Sequence, residues 1–111
     1  MRSPRERVLD MLEAVNRIEK YAGRGRQAFE TDELIQTYLL HYLQVLGEAA
    51  SKTPAEFQET HPAIPWSRMR GMRHILVHDY FRIDPDVVWT AVERDLPQLK
   101  RALLTLLAEL T

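Results

Sequence analysis

The chain has no cysteine. That excludes a disulfide framework and any thiolate metal site, and it suits a reducing compartment. Four glycines and six prolines among 111 residues rule out a collagen-like or low-complexity composition. No apolar run approaches the length that spans a bilayer, so no membrane partner is expected. The opening "MRSPRERVLDML" is too charged, and its apolar positions too scattered, for a secretory signal. Charge of one dominant sign is missing as well: 15 Lys and Arg face 16 Asp and Glu, a net charge of −1. A nucleic-acid binder working through a uniformly basic surface is thereby disfavoured. What remains is the expectation of a soluble cytoplasmic protein. Its length suits a single domain over residues 1–111, with 45% hydrophobic residues to build one core.

What the chain does have is helix punctuation. Ser3, Pro4 and Glu6 form a capping box with proline at the first helical position. Val8, Met11, Leu12, Val15 and Ile18 then recur near the 3.6-residue period. Gly23 to Gly25 ends that helix in a basic turn. Thr31, Asp32 and Glu33 open a longer helix running through Ser51, with acidic residues suited to the positive end of its dipole. Its apolar residues occupy most of its circumference, so it should pack on two sides. Gly47 inside it lowers helix propensity and predicts a close backbone approach. "TPAE" at Thr53 to Glu56 reads as a second capping box opening a short helix, and "HPAIPW" as an extended connector. A further helix is expected from Pro65 or Trp66 to Val77 or beyond. Asp84 to Asp86 should cap the next, and Pro97 should start or kink the last segment. No strand-period alternation and no internal repeat is present. The expectation is an all-α, up-and-down bundle of about four or five helices.

The chemistry concentrates in "GMRHILVHDYF", Gly71 to Phe81. Between Trp66 and Arg82 lie four arginines (Arg68, Arg70, Arg73 and Arg82) against one acid, Asp79. At about 100° per residue, Met69, Met72, Ile75 and Leu76 share the core arc, and Arg70, His74 and His78 form a separate stripe. Arg73 and His78 fall about 140° apart on an ideal helix. They meet only if the helix loosens near Val77, if the arginine bends round, or if a second chain completes the site. Four readings compete on residue type alone. His74 and His78 have the spacing of helical zinc ligands, but no glutamate follows His74 and no third ligand stands out, so no metal is expected. Basic residues near a helix C-terminus are also simply favoured by the dipole. A partner-binding surface is the third reading. Phosphodiester chemistry is the fourth: histidine moves protons near neutral pH, and arginine holds a phosphate bidentately while charge develops on it. Such a pair cleaves RNA, whose 2′-hydroxyl is a built-in nucleophile, and leaves DNA intact.

"RHILVHDY" follows the pattern Arg, four residues, His, any residue, Tyr. That pattern, with "DMLEAVNRIEKY", "AFETDEL", "YLQVLGEAA", "HPAIPW", "GMR" and "VVWTAVERDLPQL" in the same order, resembles the HepT-like toxins of the HEPN superfamily, which are small all-helical ribonucleases. The Arg-x4-His match alone is weak, whereas the ordered set covers nearly the whole chain. The resemblance implies a catalytic pair in Arg73 and His78 and a regulatory tyrosine in Tyr80. Where the family usually has Asn after the motif arginine, this chain has His74. The resemblance also implies a homodimer with both motifs facing one cleft. The chain would be the toxin of a type VII toxin–antitoxin pair, cleaving RNA (tRNA as a family-based guess) without metal. A minimal nucleotidyltransferase antitoxin would neutralise it by transferring AMP to Tyr80, with ATP and magnesium serving that partner's reaction. The alternative is a helical module that binds RNA or the nucleotidyltransferase without cutting. Candidate supporting residues are His74, Asp79, Arg70 and Glu48; the last is either a part-exposed helix carboxylate or an anchor for Arg73. Arg68, Arg70 and Arg82 either line an RNA path or solvate the surface. His41 and His61 are expected to be structural, and Trp66 and Trp89 to be core.

Overall fold

The computed structural model describes residues 2–78 and 84–110, and for residues 72 and 74–78 the helical backbone alone. The described residues are all-helical. Four long helices carry the architecture: α1 (Pro4–Ala22), α3 (Glu33–Lys52), α5 (Trp66–His78) and α7 (Leu96–Glu109). Three six-residue helices join them: α2 (Arg26–Thr31), α4 (Ala55–Thr60) and α6 (Pro85–Thr90). A π turn, Ala91–Asp95, links α6 to α7.

The first helix starts as its residues dictate. Ser3 Oγ accepts from the Glu6 N–H, and the Glu6 carboxylate accepts from the Ser3 N–H. Gly23 closes the helix, its N–H donating to Glu19 O. Gly25 takes φ 96°, a conformation that costs an L side chain strain and glycine nothing. Asp32 caps α3, accepting from the N–H groups of Leu34 and Ile35. Asp84 caps α6 through the Asp86 N–H, with Pro85 in its first turn.

α3 is central, with α1 on one side and α5 on the other, as its nearly all-round apolar sequence requires. α1 and α3 run antiparallel, since Tyr21 meets Tyr38 while Arg17 reaches Tyr42. α7 runs antiparallel to α1 on its other flank, where Lys100 bridges to Glu19 at 3.1 Å. The core is the seam between these helices. Val8, Met11, Val15 and Ile18 meet Leu39, Leu43 and Leu46 from α3 and Leu96 and Leu103 from α7, all essentially solvent-free. Trp66 and Trp89 are buried, as expected. The Trp66 indole N–H donates to His61 O at 2.9 Å, and Trp89 stacks on Phe29.

One expectation changes and one element is added. The "TPAE" capping box does not form. Thr53 is buried and its hydroxyl donates back to Ala49 O, leaving α4 without a side-chain cap. The Gln58 amide takes over at that corner, donating to Ala50 O and Thr53 O. The segment after Gly25, to which the sequence assigned no element, is helical: α2 places Phe29 against Trp89. Helical segments are thus more numerous than expected. Pro97 starts the last segment as expected, in the first turn of α7 and behind the π turn. There the Leu96 N–H reaches back to Ala91 O, and the widened turn makes room for a ring that lacks a donor.

Candidate ribonuclease site

Arg73 lies on α5 where that helix crosses α3, and Gly47 makes the crossing possible. A Cβ on Gly47 would stand 2.6 Å from Arg73 Cβ and 2.8 Å from Met69 O. The absence of a side chain on α3 is what lets Arg73 sit directly on its backbone. The Arg73 side chain is exposed, and among the described residues it forms no ion pair and no side-chain hydrogen bond. Its neighbours on the same helix differ. Arg68 pairs with Asp95 at 3.0 Å, and Arg70 donates to Gln58 Oε1. Among the described side chains of this cluster, Arg73 is therefore the cation without a partner, while Arg68 and Arg70 are tied to the scaffold.

Glu48 follows Gly47 and stands beside the same crossing. Its carboxylate pairs with Lys52 at 3.1 Å and is partly exposed. The Lys52 hydrogen bond and charge hold the carboxyl below its ordinary range against some desolvation, and the nearby charges of Arg73 and Arg7 add to the effect. Glu48 is thus a part-exposed helix carboxylate engaged by Lys52, and Arg73 reaches it through charge alone. Arg7, which the sequence did not single out, reaches into this corner from α1. Its Nε is buried and, among the described residues, has no hydrogen-bond partner. A groove of about 350 Å³ begins here and runs between α1 and α3, bordered by Arg7, Arg17, Tyr42, Glu48 and Lys52.

His74 and His78 belong to α5, and His78 is its last residue. Asp79, Tyr80 and Arg82 lie outside the described residues. His61 has a structural role: its Nδ1 lies 2.8 Å from Phe57 O and its ring stacks on Phe57. His41 is exposed and meets Tyr42 edge-on. Among the described residues no cluster of three or more His, Asp or Glu side chains is arranged to hold a metal, and no helix is long and apolar enough to cross a membrane.

Residues 11–106 match the family model described as "Ribonuclease HepT-like", an interval containing Gly47, Glu48, Arg73 and His78. The chain belongs to the HepT-like ribonuclease family. It is 36% identical over 100 residues to a protein of Thermococcus cleftensis named probable ribonuclease HepT, covering 89% of this chain and 91% of that one. It is 31% identical over 104 residues to a protein of Caldanaerobacter subterraneus subsp. tengcongensis named as a putative RNase, with 91% of each chain covered. A third relative, from Methanocaldococcus jannaschii, is named gamma-glutamylcyclotransferase and putative RNase. It is 34% identical over 101 residues, and the match takes in 90% of this chain but 46% of that longer protein. No solved structure matches. Arg73 is the one arginine of α5 without an ion-pair or side-chain hydrogen-bond partner among the described residues.

Proposed function

We propose that this chain is a metal-independent endoribonuclease, the toxin of a type VII toxin–antitoxin pair. The observation that carries the reading is the family match running through Arg73 and His78. In this mechanism the 2′-hydroxyl oxygen attacks the adjacent phosphorus and the bond from phosphorus to the 5′-oxygen breaks. The products are a 2′,3′-cyclic phosphate and a free 5′-hydroxyl. His78 takes the proton from the 2′-hydroxyl or delivers one to the leaving oxygen. Arg73 binds the phosphate and stabilises the charge that grows on its non-bridging oxygens. His74, Asp79, Arg70 and Glu48 are assigned supporting positions.

The working unit is a homodimer in which both motifs face one cleft, which removes the need for Arg73 and His78 to converge on a single helix face. Tyr80 is the regulatory position. A minimal nucleotidyltransferase antitoxin transfers AMP to its hydroxyl from ATP with magnesium. The added negative charge then competes with RNA phosphate for Arg73. The setting is cytoplasmic and the substrate RNA, with tRNA the first to try.

The test is incubation of purified protein with RNA in EDTA. The expected result is shortened RNA carrying cyclic phosphate ends, with cleavage falling about 10²–10⁴-fold in His78→Ala. Full cleavage by a folded His78→Ala protein refutes the assignment of that residue. RNA bound but never shortened by the wild type replaces the enzyme with a non-catalytic binding module.

A further inference from the structure

Away from Arg73, the α1–α3 face carries a set of contacts that the ribonuclease reading does not use. Tyr21, Tyr38 and Tyr42 form a continuous row of tilted rings, with centroids 4.3 Å apart at 57° in the first pair and 4.8 Å apart at 48° in the second. Each ring is half-buried, and each borders an open groove. Cations cover the ends of the row. The Arg24 guanidinium lies 5.0 Å and the Lys20 ammonium 5.6 Å from the Tyr21 ring centre, while Arg17 lies 5.7 Å from that of Tyr42. The acids along this face are already engaged. Glu19 pairs with Lys100, and Asp32 caps α3. Glu13 pairs with Arg17, so Arg17 flanks the rings as half of an ion pair. Lys20 and Arg24 are the cations over these rings without an ion pair among the described residues. Exposed edges of aromatic rings flanked by cations on one face are an arrangement suited to single-stranded nucleic acid. Bases stack on rings and guanidinium planes, and the cations meet the backbone.

The row is also connected to the candidate site. Tyr42 and Glu48 border the same groove between α1 and α3. They are six residues apart on α3, about 9 Å along its axis. The groove therefore runs from the last tyrosine to the corner where Arg73 crosses α3.

We propose that the Tyr21–Tyr38–Tyr42 row, with Arg17, Lys20 and Arg24 over its rings, is the docking track for the single-stranded RNA on which this site acts. The proposal rests on the ribonuclease reading for the identity of its ligand. A strand lying on the track places flanking bases on the tyrosines and leads the chain along the groove toward Arg73. It also answers the near-neutral net charge: affinity comes from a narrow strip of rings and cations, not from a basic surface.

The test uses a fluorescein-labelled oligomer of 2′-O-methyl RNA, about a dozen nucleotides long. It has no free 2′-hydroxyl, so binding is read without cleavage. Tyr38→Leu and Tyr42→Leu are expected to weaken binding roughly tenfold each, the loss typical of one stacked base. Tyr38→Phe and Tyr42→Phe, which keep a ring, are expected to restore it. Arg24→Gln, at an exposed position, should flatten the salt dependence of binding by about 0.7 in the slope of log K against log salt. On cleavable RNA the leucine variants should raise KM more than they lower kcat. Thermal melts confirm that each variant is folded. Folded leucine variants with wild-type affinity, and an unchanged salt slope in Arg24→Gln, overturn the track even if RNA is still cleaved. Variants that alter sedimentation while leaving RNA affinity intact overturn it in favour of a surface between protein chains. A wild type that binds the oligomer through these residues but cleaves no RNA leaves the track standing and removes the ribonuclease reading.

Discussion

Replacing Gly47 by alanine separates two effects that usually act together. Inside an unobstructed helix the change stabilises by about 1 kcal/mol, because alanine loses less backbone freedom on folding. At Gly47 the new methyl meets Arg73 Cβ at 2.6 Å, Met69 O at 2.8 Å and Arg73 N at 3.2 Å. These are backbone or backbone-proximal atoms, so rotamer changes cannot relieve the contact. Helices α3 and α5 must part by about 0.8 Å, from 2.6 Å to the 3.4 Å where ordinary contacts begin. Overpacking of this kind costs about 1–3 kcal/mol. Set against that gain, the expected balance lies between about zero and a net loss of about 2 kcal/mol, a fall in Tm of up to roughly 8 °C for a domain of this size. Gly71 is the internal control: it also lies within a helix, α5, but among the described residues nothing stands within 4 Å of its added Cβ. Gly71→Ala should raise Tm by roughly 4 °C. Differential scanning calorimetry on both variants reads the difference directly. Equal stabilisation by the two substitutions refutes the close α3–α5 crossing. Activity adds a second readout, since a displacement approaching 1 Å at Arg73 is enough to cost on the order of 10²-fold in rate.

Leu103→Ala, at a fully buried position in α7, should cost about 2–5 kcal/mol by chemical denaturation, and a loss under about 1 kcal/mol would contradict the packed α1–α3–α7 seam. Ser3→Ala removes one half of the reciprocal cap on α1 and should cost about 1 kcal/mol, read as a shift in the urea midpoint; an unshifted midpoint would contradict the cap. Glu48 has a carboxyl lowered by Lys52 and then by Arg73, so its contribution is present above the ordinary glutamate pKa and is lost as pH falls through the lowered value. Glu48→Gln should therefore flatten the acid limb of stability against pH. At neutral pH it should change stability by no more than about 0.5 kcal/mol, because the pair is a surface i,i+4 contact. If Glu48 also steadies Arg73, the same variant lowers RNA cleavage while the melt stays nearly unchanged.

The parts of the fold legible in the sequence are those fixed by neighbours in the chain. Ser3, Pro4 and Glu6 announce the start of α1 because all the partners of a capping box lie within one turn. Gly47 was legible for a related reason: a glycine in an otherwise strongly apolar helix has few purposes besides close approach. Thr53 misled because its hydroxyl had two destinations, forward to α4 or back to Ala49 O, and burial of the corner decided between them. α2 was missed because six residues cannot hold a helix alone, and the Phe29–Trp89 contact that steadies this one spans 60 positions of sequence. The candidate site divides in the same way. Arg73 and His78 stand out as a linear motif, whereas the nearness of Glu48 and Arg7 follows from how α1, α3 and α5 pack. Tyr38 and Tyr42 were readable as neighbours on one helix face, but only the antiparallel pairing of α1 adds Tyr21.

Gln58 fastens three pieces of the protein with a single uncharged side chain. Its nitrogen holds two carbonyls at the end of α3, its oxygen holds Arg70 of α5, and its own backbone belongs to α4. Because the amide does not titrate, this clasp keeps its grip across conditions of acidity under which the carboxylate pairs elsewhere on the surface slacken. The helix that bears the candidate arginine is thus anchored to its scaffold by a joint that pH cannot unfasten.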